Sequence, residues 1–159
     1  MLNNDKFTFG LAGEGWEVAI SKPAAFTGAV ANTRGDKDGT KSAFTLFTVT
    51  GDVLVRIFGV CTTDLAGAAG TVSVGVTGNT AALIALETAT EIDANGIYLS
   101  ATQVLGAVAF SSVPGPFLVV NGLDIIETVA TTDIASGQIY YICVWRPLTE
   151  ASSVVGLSE

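Results

Sequence analysis

The sequence predicts an all-β fold: an antiparallel β-sandwich or jelly-roll-like domain with an extended N-terminal arm. Three observations predict it. Short runs of alternating apolar and polar residues recur along the chain, turn signals separate them about every 8–12 residues, and no amphipathic helical period is present. Strands and helices do not alternate, which excludes a doubly wound fold. We divide the chain into the arm, residues 1–41, and a β-sandwich body, residues 42–159.

The first half of the body alternates with a period of two. The predicted strands are residues 42–50, 53–62, 71–77 and 80–86. The last of these also fits a helical turn, but the turn before it and the threonines after it favour a strand. Gly51-Asp52 and Gly78-Asn79 are predicted to close hairpins, because glycine adopts the positive φ that tight turns require.

The second half of the body continues the pattern. The predicted strands are residues 96–100, 104–110, 117–120, 123–130 and 139–146. Asn121-Gly122 predicts a further hairpin. The run 139–146 is the most apolar and is expected to be central, and Pro147 ends it. The tail, residues 152–159, is expected to be loosely ordered.

The arm differs from the body in its charge and its aromatic residues. It contains every lysine and one arginine, whereas the only bases of the body are Arg56 and Arg146. We expect its scattered aromatic rings to dock in pockets of a partner, although residues 16–20 could instead add an edge strand. Arg56 and Arg146 lie on apolar strands, so we expect them to pair with acids (Asp52, Asp124 or Glu127) or to contact another subunit. The predicted interface residues are Phe7, Phe9, Trp16, Phe26, Arg34, Arg56 and Arg146.

The composition indicates assembly and argues against several partners. Charged residues make up 14% of the chain, against about 25% in typical soluble domains. Such a chain either buries surface in a homo-oligomer or covers a monomer with Thr and Ser; we favour the homo-oligomer. The net charge of −8 disfavours nucleic acid and anionic membrane surfaces. Neither a signal peptide nor a transmembrane stretch is recognisable.

The residue types point away from catalysis. The chain has no histidine, which removes the commonest general base and metal ligand. We predict no catalytic, cofactor-binding or metal-binding residue, and we interpret the acids near strand ends as solvated. The two cysteines, Cys61 and Cys143, are expected to be buried free thiols. Tyr140, Tyr141 and Trp145 could form a sugar-binding platform, but core packing is favoured.

Four strings in the body resemble one group of proteins. They are Leu46–Arg56 (LFTVTGDVLVR), Val60–Ala68 (VCTTDLAGA), Val74–Thr80 (VGVTGNT) and Cys143–Leu148 (CVWRPL). Across residues 42–148 they resemble small β-rich virion structural proteins encoded by tailed bacteriophages and related prophages, most of all capsid decoration (cement) proteins. The arm carries no such resemblance.

The resemblance implies a non-enzymatic protein on the capsid surface of a virion assembled in the host cytoplasm. Its partner would be the major capsid protein, whose subunits it would bridge, and it would form a homo-oligomer, with a trimer favoured. The alternatives are a receptor- or glycan-binding head of a fibre or tail, or a tail or neck structural protein. Burial of the three aromatic residues Tyr140, Tyr141 and Trp145 would favour decoration over glycan binding.

Overall fold

The computed structural model describes residues 15–99 and 104–157, which form an antiparallel β-sandwich of two packed sheets. Its strands are β1 (Glu17–Ser21), β2 (Ala43–Thr50), β3 (Val53–Ala66), β4 (Thr71–Val76), β5 (Asn79–Thr88), β6 (Gly96–Tyr98), β7 (Val104–Leu105), β8 (Phe117–Val119), β9 (Ile125–Ala130), β10 (Ser136–Pro147) and β11 (Ser153–Gly156). Short 3-10 helices span Ala89–Glu91 and Phe110–Ser112. The predicted all-β sandwich is confirmed, while jelly-roll connectivity stays a prediction.

The two sheets leave one edge of the sandwich closed and the other open. Sheet I has the order β1-β10-β3-β6-β7, with β8 also paired to β3, and sheet II has the order β11-β2-β9-β4-β5. At the closed edge, Leu157 O accepts hydrogen bonds from Lys22 N and Ser21 Oγ, both at 3.0 Å, so β1 and β11 are tied together. At the open edge, no further strand of the described residues pairs with β5 or β8.

The core lies between the sheets, where the inward side chains meet. The longest strands contribute most to it: Val53, Val55, Ile57 and Cys61 from β3, and Ile139, Tyr141, Cys143 and Trp145 from β10. The alternation predicted these faces correctly, and β10 lies in the interior of sheet I as predicted. Each large apolar side chain buried in this way stabilises the fold by about 1.5–3 kcal/mol.

The two cysteines are buried and free, as predicted. Cys61 lies opposite Ile139 on the neighbouring strand, whereas Cys143 lies opposite Ile57. At about 3.4 Å per residue, the resulting offset along β10 is about 13 Å, well beyond the roughly 7 Å between Cα atoms that a disulfide can bridge.

Two of the predicted hairpins are wrong. Gly51-Asp52 joins β2 of sheet II to β3 of sheet I, and Asn121-Gly122 joins β8 of sheet I to β9 of sheet II. A positive φ reverses the chain locally. Whether the two flanking strands then pair depends on whether both belong to the same sheet, and the packing of the two sheets decides this. The two turns instead bond to each other, through Gly122 N to Gly51 O at 3.0 Å and Asn121 N to Asp52 Oδ1 at 2.9 Å. Only the third predicted hairpin is confirmed, between β4 and β5, and its two loop residues are Thr77 and Gly78 because Asn79 already pairs with Val76.

Two further expectations need correction. The tail is not loose over Ser153–Gly156, because β11 pairs with β2 and buries Val154. The predicted strand 104–110 is reduced to the two residues of β7, followed by an irregular path into the second 3-10 helix. Residues 80–86, which also fitted a helical turn, form part of strand β5, as we favoured.

The described part of the arm, residues 15–41, packs against the body. Strand β1 pairs with β10 as an edge strand, the alternative that the sequence left open. Downstream of it, Phe26 is 1% exposed and belongs to the core. Backbone hydrogen bonds also tie this segment down, including Gly28 N to Ile134 O at 2.9 Å. Any contact between the arm and a second protein stays a prediction.

Candidate interaction surface

The outer face of sheet I is apolar, although the inner face of the same sheet already forms the core. The strand register aligns the outward side chains in rows, for example Ile20 on β1 beside Ile142 on β10 and Phe58 on β3. We define the apolar face as Val18, Ile20, Leu54, Phe58, Val60, Ile97, Tyr140, Ile142 and Val144. Most of these side chains are half-buried in the isolated chain, and Ile20 is 48% exposed. A two-sided apolar sheet needs a second covering layer.

The outer face of sheet II is different, because hydroxyl side chains dominate it. Its outward residues include Thr45, Thr48, Thr50, Thr128 and Ser153, with Val155, opposite Thr48, as an exposed apolar exception. Short hydroxyl side chains are compatible with water, so this face needs no cover. The sandwich therefore has one solvent-adapted face and one apolar face.

Cationic side chains border the apolar face. Lys22 follows β1, and Arg146 lies near the end of β10 and is exposed, whereas Arg56 lies inside the face, opposite Val144. Arg56 is half-buried: its Nη1 donates to Val113 O at 2.9 Å, and its Cζ lies 5.5 Å from the centre of the Phe110 ring. In a chain with a net charge of −8, a cationic border favours an acidic partner surface.

The expected ion pairing of the two body arginines is wrong for Arg56, which donates to a backbone carbonyl instead. The three acids considered as partners are engaged elsewhere. Asp52 accepts from Asn121 N and Asp124 from Val49 N, whereas Glu127 binds Arg34. Arg146 lies exposed beside the apolar face, and its contact with another subunit stays a prediction.

A shallow depression of about 450 Å³ lies on the apolar face, near the closed edge of the sandwich. Its lining residues are Ile20, Lys22, Gln138, Tyr140 and Ile142. Tyr140 is half-buried, but Tyr141 and Trp145 are 0% and 5% exposed and belong to the core. Core packing is thus confirmed for two of the three aromatic residues, and only Tyr140 offers a ring to a ligand.

A second depression, the edge groove, opens between β5 and β8 at the open edge. It encloses about 140 Å³ and is lined by apolar side chains alone: Val76, Ala82, Leu83, Phe117, Leu118, Val119, Val120 and Leu123. Leu118 is 60% exposed, while Leu83 and Val119 form its buried floor.

The arm residues predicted to contact a partner occupy different environments. Phe7 and Phe9 lie outside the described residues. Trp16 is half-buried at the start of β1, beside the apolar face. Phe26 and Arg34 are buried within the chain, at 1% and 3% exposure, so neither lies on its surface.

Arg34 and Glu127 form a buried ion pair between the arm and sheet II. Arg34 Nε donates to Glu127 Oε1 at 2.8 Å, and Nη2 donates to Oε2 at 2.6 Å. The hydroxyl of Tyr141 donates to the same Oε2 at 2.6 Å. Arg34 also donates to Ala24 O at 2.7 Å, and its Cζ lies 3.9 Å from the centre of the Phe26 ring. Bidentate geometry with these extra hydrogen bonds is what a buried pair requires.

The ionisation of this region follows from its burial. Burial by itself lowers the pKa of Arg34, but the charge of Glu127 and its hydrogen bonds outweigh that effect, so the net pKa is raised. The pKa values of Tyr141 and Tyr98 are raised well above 10.0, first by burial and then by the charge of Glu127. Tyr98 also donates to Val72 O at 2.7 Å. Burial raises the pKa of Cys61 from 9.0 to about 11.

These raised pKa values predict a loss of stability at alkaline pH. The unfolded chain releases protons from Cys61 above about pH 9 and from the tyrosines above about pH 10, while the folded chain retains them. Stability is therefore fully present below pH 9 and falls by about 1.4 kcal/mol per pH unit for each such group. Urea unfolding between pH 7 and 11 measures this slope. We expect a shallower slope for Tyr141→Phe, and a constant stability up to pH 11 would contradict the prediction.

The apolar face itself was missed as a site, although its signal was present in the sequence. Leu54, Phe58 and Val60 alternate with core residues of β3, so both faces of that strand are apolar. A half-solvated strand would carry polar residues at these positions.

The chain has no match to any known family, curated protein or solved structure. Within residues 15–99 and 104–157, no group of three His, Cys, Asp or Glu side chains is arranged to hold a metal ion. None of the helices in that part of the chain has the length and hydropathy needed to cross a membrane. The functional proposal therefore rests on the surfaces described above and on the resemblance noted in the sequence.

Proposed function

We propose that this chain is a non-enzymatic virion structural protein of a tailed bacteriophage. Specifically, it is a capsid decoration protein that stabilises the head by bridging major capsid subunits. The observation that carries the proposal is the apolar face of sheet I. The resemblance of residues 42–148 to phage virion proteins supplies the biological setting.

The apolar face suits broad protein contact better than binding of a small molecule. It spans β1, β10, β3 and β6, and its depression near Ile142 is shallow. A stable protein interface buries about 800 Å² on each partner, around an apolar centre with a polar rim. The apolar face supplies such a centre, and Lys22 and Arg146 supply cationic rim residues. The hydroxyl-rich face of sheet II would remain in water.

The charge distribution favours a ring of copies over a face-to-face pair. A symmetric pair would place the cations of two apolar faces against each other. Asp64 near the end of β3, and Asp93 and Asp133 in the segments that follow β5 and β9, lie at one end of the sandwich. A contact between the apolar face of one copy and the acidic end of the next is heterologous, and heterologous contacts that close produce rings such as trimers. We therefore propose a homotrimer with the major capsid protein as its partner.

Glycan binding by a fibre or tail head is the second candidate. One observation favours it: Tyr140 lies beside Gln138 and Lys22 in the depression of about 450 Å³. A sugar site of this kind uses a ring as a stacking surface and polar groups as its hydrogen-bonding partners. However, Gln138 Nε2 already donates to Pro23 O at 2.7 Å, and the other two rings are buried. A tail or neck structural protein is a further alternative, in which the same apolar face would join copies into the ring of a tail or neck.

The test of the proposal is binding to empty capsid shells of the phage or prophage whose genome encodes the chain. We expect saturable binding at fixed symmetry positions, measured by co-sedimentation and cryo-imaging. Shells of an unrelated phage serve as the control. Binding to tails or to glycans, with bare shells, would contradict the proposal.

The role of the arm needs a truncation that leaves the fold intact. Deleting residues 1–41 would remove β1, Phe26 and Arg34, and with them part of the core and the buried ion pair. Deletion of residues 1–14 spares all three. If the arm contributes to docking, this shorter deletion lowers shell occupancy while the unfolding midpoint is preserved.

A further inference from the structure

We propose that the body of the sandwich is a receptor for an extended peptide, and that its ligand is residues 17–35 of this chain, which we term the docked segment. In the structure this ligand is bound while residues 36–41 tether it to the body. The site selects the pattern Phe-x-Gly followed, after five residues, by Arg-Gly, and it accepts a peptide of that pattern without the tether. The inference goes beyond the proposed function and does not depend on it.

The backbone of the docked segment is bonded to the body at both of its ends. Strand β1 pairs with β10, and further along the chain Phe26 N donates to Gly137 O at 2.9 Å. Gly28 N donates to Ile134 O, and Ile134 N donates to Gly35 O, both at 2.9 Å. In strand addition, main-chain hydrogen bonds of this kind supply affinity, and pockets for side chains supply selectivity.

Two side chains of the docked segment occupy such pockets. The ring of Phe26 is 1% exposed and belongs to the core. Arg34 extends to Glu127 on β9, which it binds through two hydrogen bonds, and its Nη2 also donates to Ile139 O at 3.3 Å. Because Glu127 is fully buried, it requires a cationic partner from the ligand. The body therefore recognises an aromatic ring and an arginine in one peptide.

Two glycines of the docked segment lie where its backbone touches itself and the body. A Cβ atom on Gly28 would clash with the carbonyl oxygens of Gly35 and Ile134. A Cβ atom on Gly35 would clash with the same oxygen of Ile134, and Gly35 has a φ of +103°. Larger residues are excluded at both positions, so the ligand needs glycine beside each of its two anchoring side chains.

The tether is held largely by its own turn. The Asp36 carboxylate accepts hydrogen bonds from Asn32 N at 2.7 Å and from Asp38 N at 3.0 Å. Asp38 and Thr40 are exposed. Exposed loop tips tolerate insertion and cleavage, so a cut here would leave the contacts of the docked segment in place.

A cut in the tether of the folded, full-length protein tests the proposal. A recognition site for a sequence-specific protease is inserted between Asp38 and Gly39 and is cleaved after folding. We expect the two fragments to stay together through size-exclusion chromatography. An excess of isotope-labelled synthetic peptide of residues 1–38 is then added in urea well below the unfolding midpoint. Native mass spectrometry should show this peptide replacing the cut arm.

Variants of the peptide test the selectivity without altering the protein. Phe26→Ala is expected to weaken binding of the peptide on the order of 100-fold, and Gly28→Ala should also block its entry because of the clash. Val30→Ala is the matched control from the same segment, since Val30 is 59% exposed, and it should enter like the unmodified peptide.

Three outcomes would overturn the proposal. The fragments might separate when the tether is cut, or the unmodified peptide might fail to replace the arm. The third is entry of the Phe26→Ala and Gly28→Ala peptides as readily as the Val30→Ala peptide. Shell binding is a separate measurement, so any of these results leaves the proposed function standing.

Discussion

Replacing Glu127 with alanine is expected to lower the free energy of unfolding by about 3–5 kcal/mol. The change leaves the Arg34 guanidinium buried without its carboxylate, and it also removes the acceptor of the Tyr141 hydroxyl. An unpaired buried charge costs far more than the pair contributes, because desolvation is no longer offset. Urea denaturation at pH 7, followed by the fluorescence of Trp16 and Trp145, measures the loss.

The controls separate the loss of the pair from a general effect of removing acids. Glu91→Ala, at an exposed acid, is expected to change stability by less than about 0.5 kcal/mol. The double variant Arg34→Met with Glu127→Leu is expected to be more stable than Glu127→Ala, since it leaves no buried charge. A loss below 1 kcal/mol for Glu127→Ala, within the range of a surface substitution, would show that the pair is not sealed from water.

The variant Ile142→Asp is expected to weaken self-association on the order of 100-fold, because the new carboxylate would have to lose its water when the apolar face is covered. The side chain of Ile142 points away from the core, so the fold itself should tolerate the change. Sedimentation velocity over a concentration series measures the association, and circular dichroism checks the fold.

Thr48→Asp is the matched control for this second experiment, since it places the same charge on the outer face of sheet II. We expect it to leave the oligomer intact. If Ile142→Asp sediments like the unmodified protein, or if both variants dissociate equally, the apolar face is not the surface through which copies associate.

Alternation along single strands was the part of the fold that the sequence predicted well. The inward residues of β3 and β10 were identified correctly because one strand supplies that information locally. The turns at Gly51-Asp52 and Asn121-Gly122 were located correctly, but their strands were paired wrongly. The reversal of the backbone at a turn is a local property. The sheet that each flanking strand joins depends on how the two sheets pack against each other.

The buried ion pair was less predictable than the strands, because it depends on a contact between distant parts of the chain. Arg34 and Glu127 are 93 residues apart, and no local pattern links them. A buried acid was still detectable: Glu127 stands among Ile125, Ile126 and Val129, and such a carboxylate requires a cation. The short stretch Phe26–Arg34 has no strand periodicity, so the burial of the side chains at its two ends could not be foreseen from alternation.

The antiparallel pairing of β1 with β10 determines how tension on the N-terminus would be distributed. A pull on the chain before Gly15 acts along the axis of β1, and the hydrogen bonds of the pair lie across that axis. The five residue pairs of Glu17–Ser21 would therefore be loaded in shear and would have to fail together. Behind them, Phe26 and Arg34 anchor the same segment in the interior. This geometry lets an edge strand withstand a force directed along its axis.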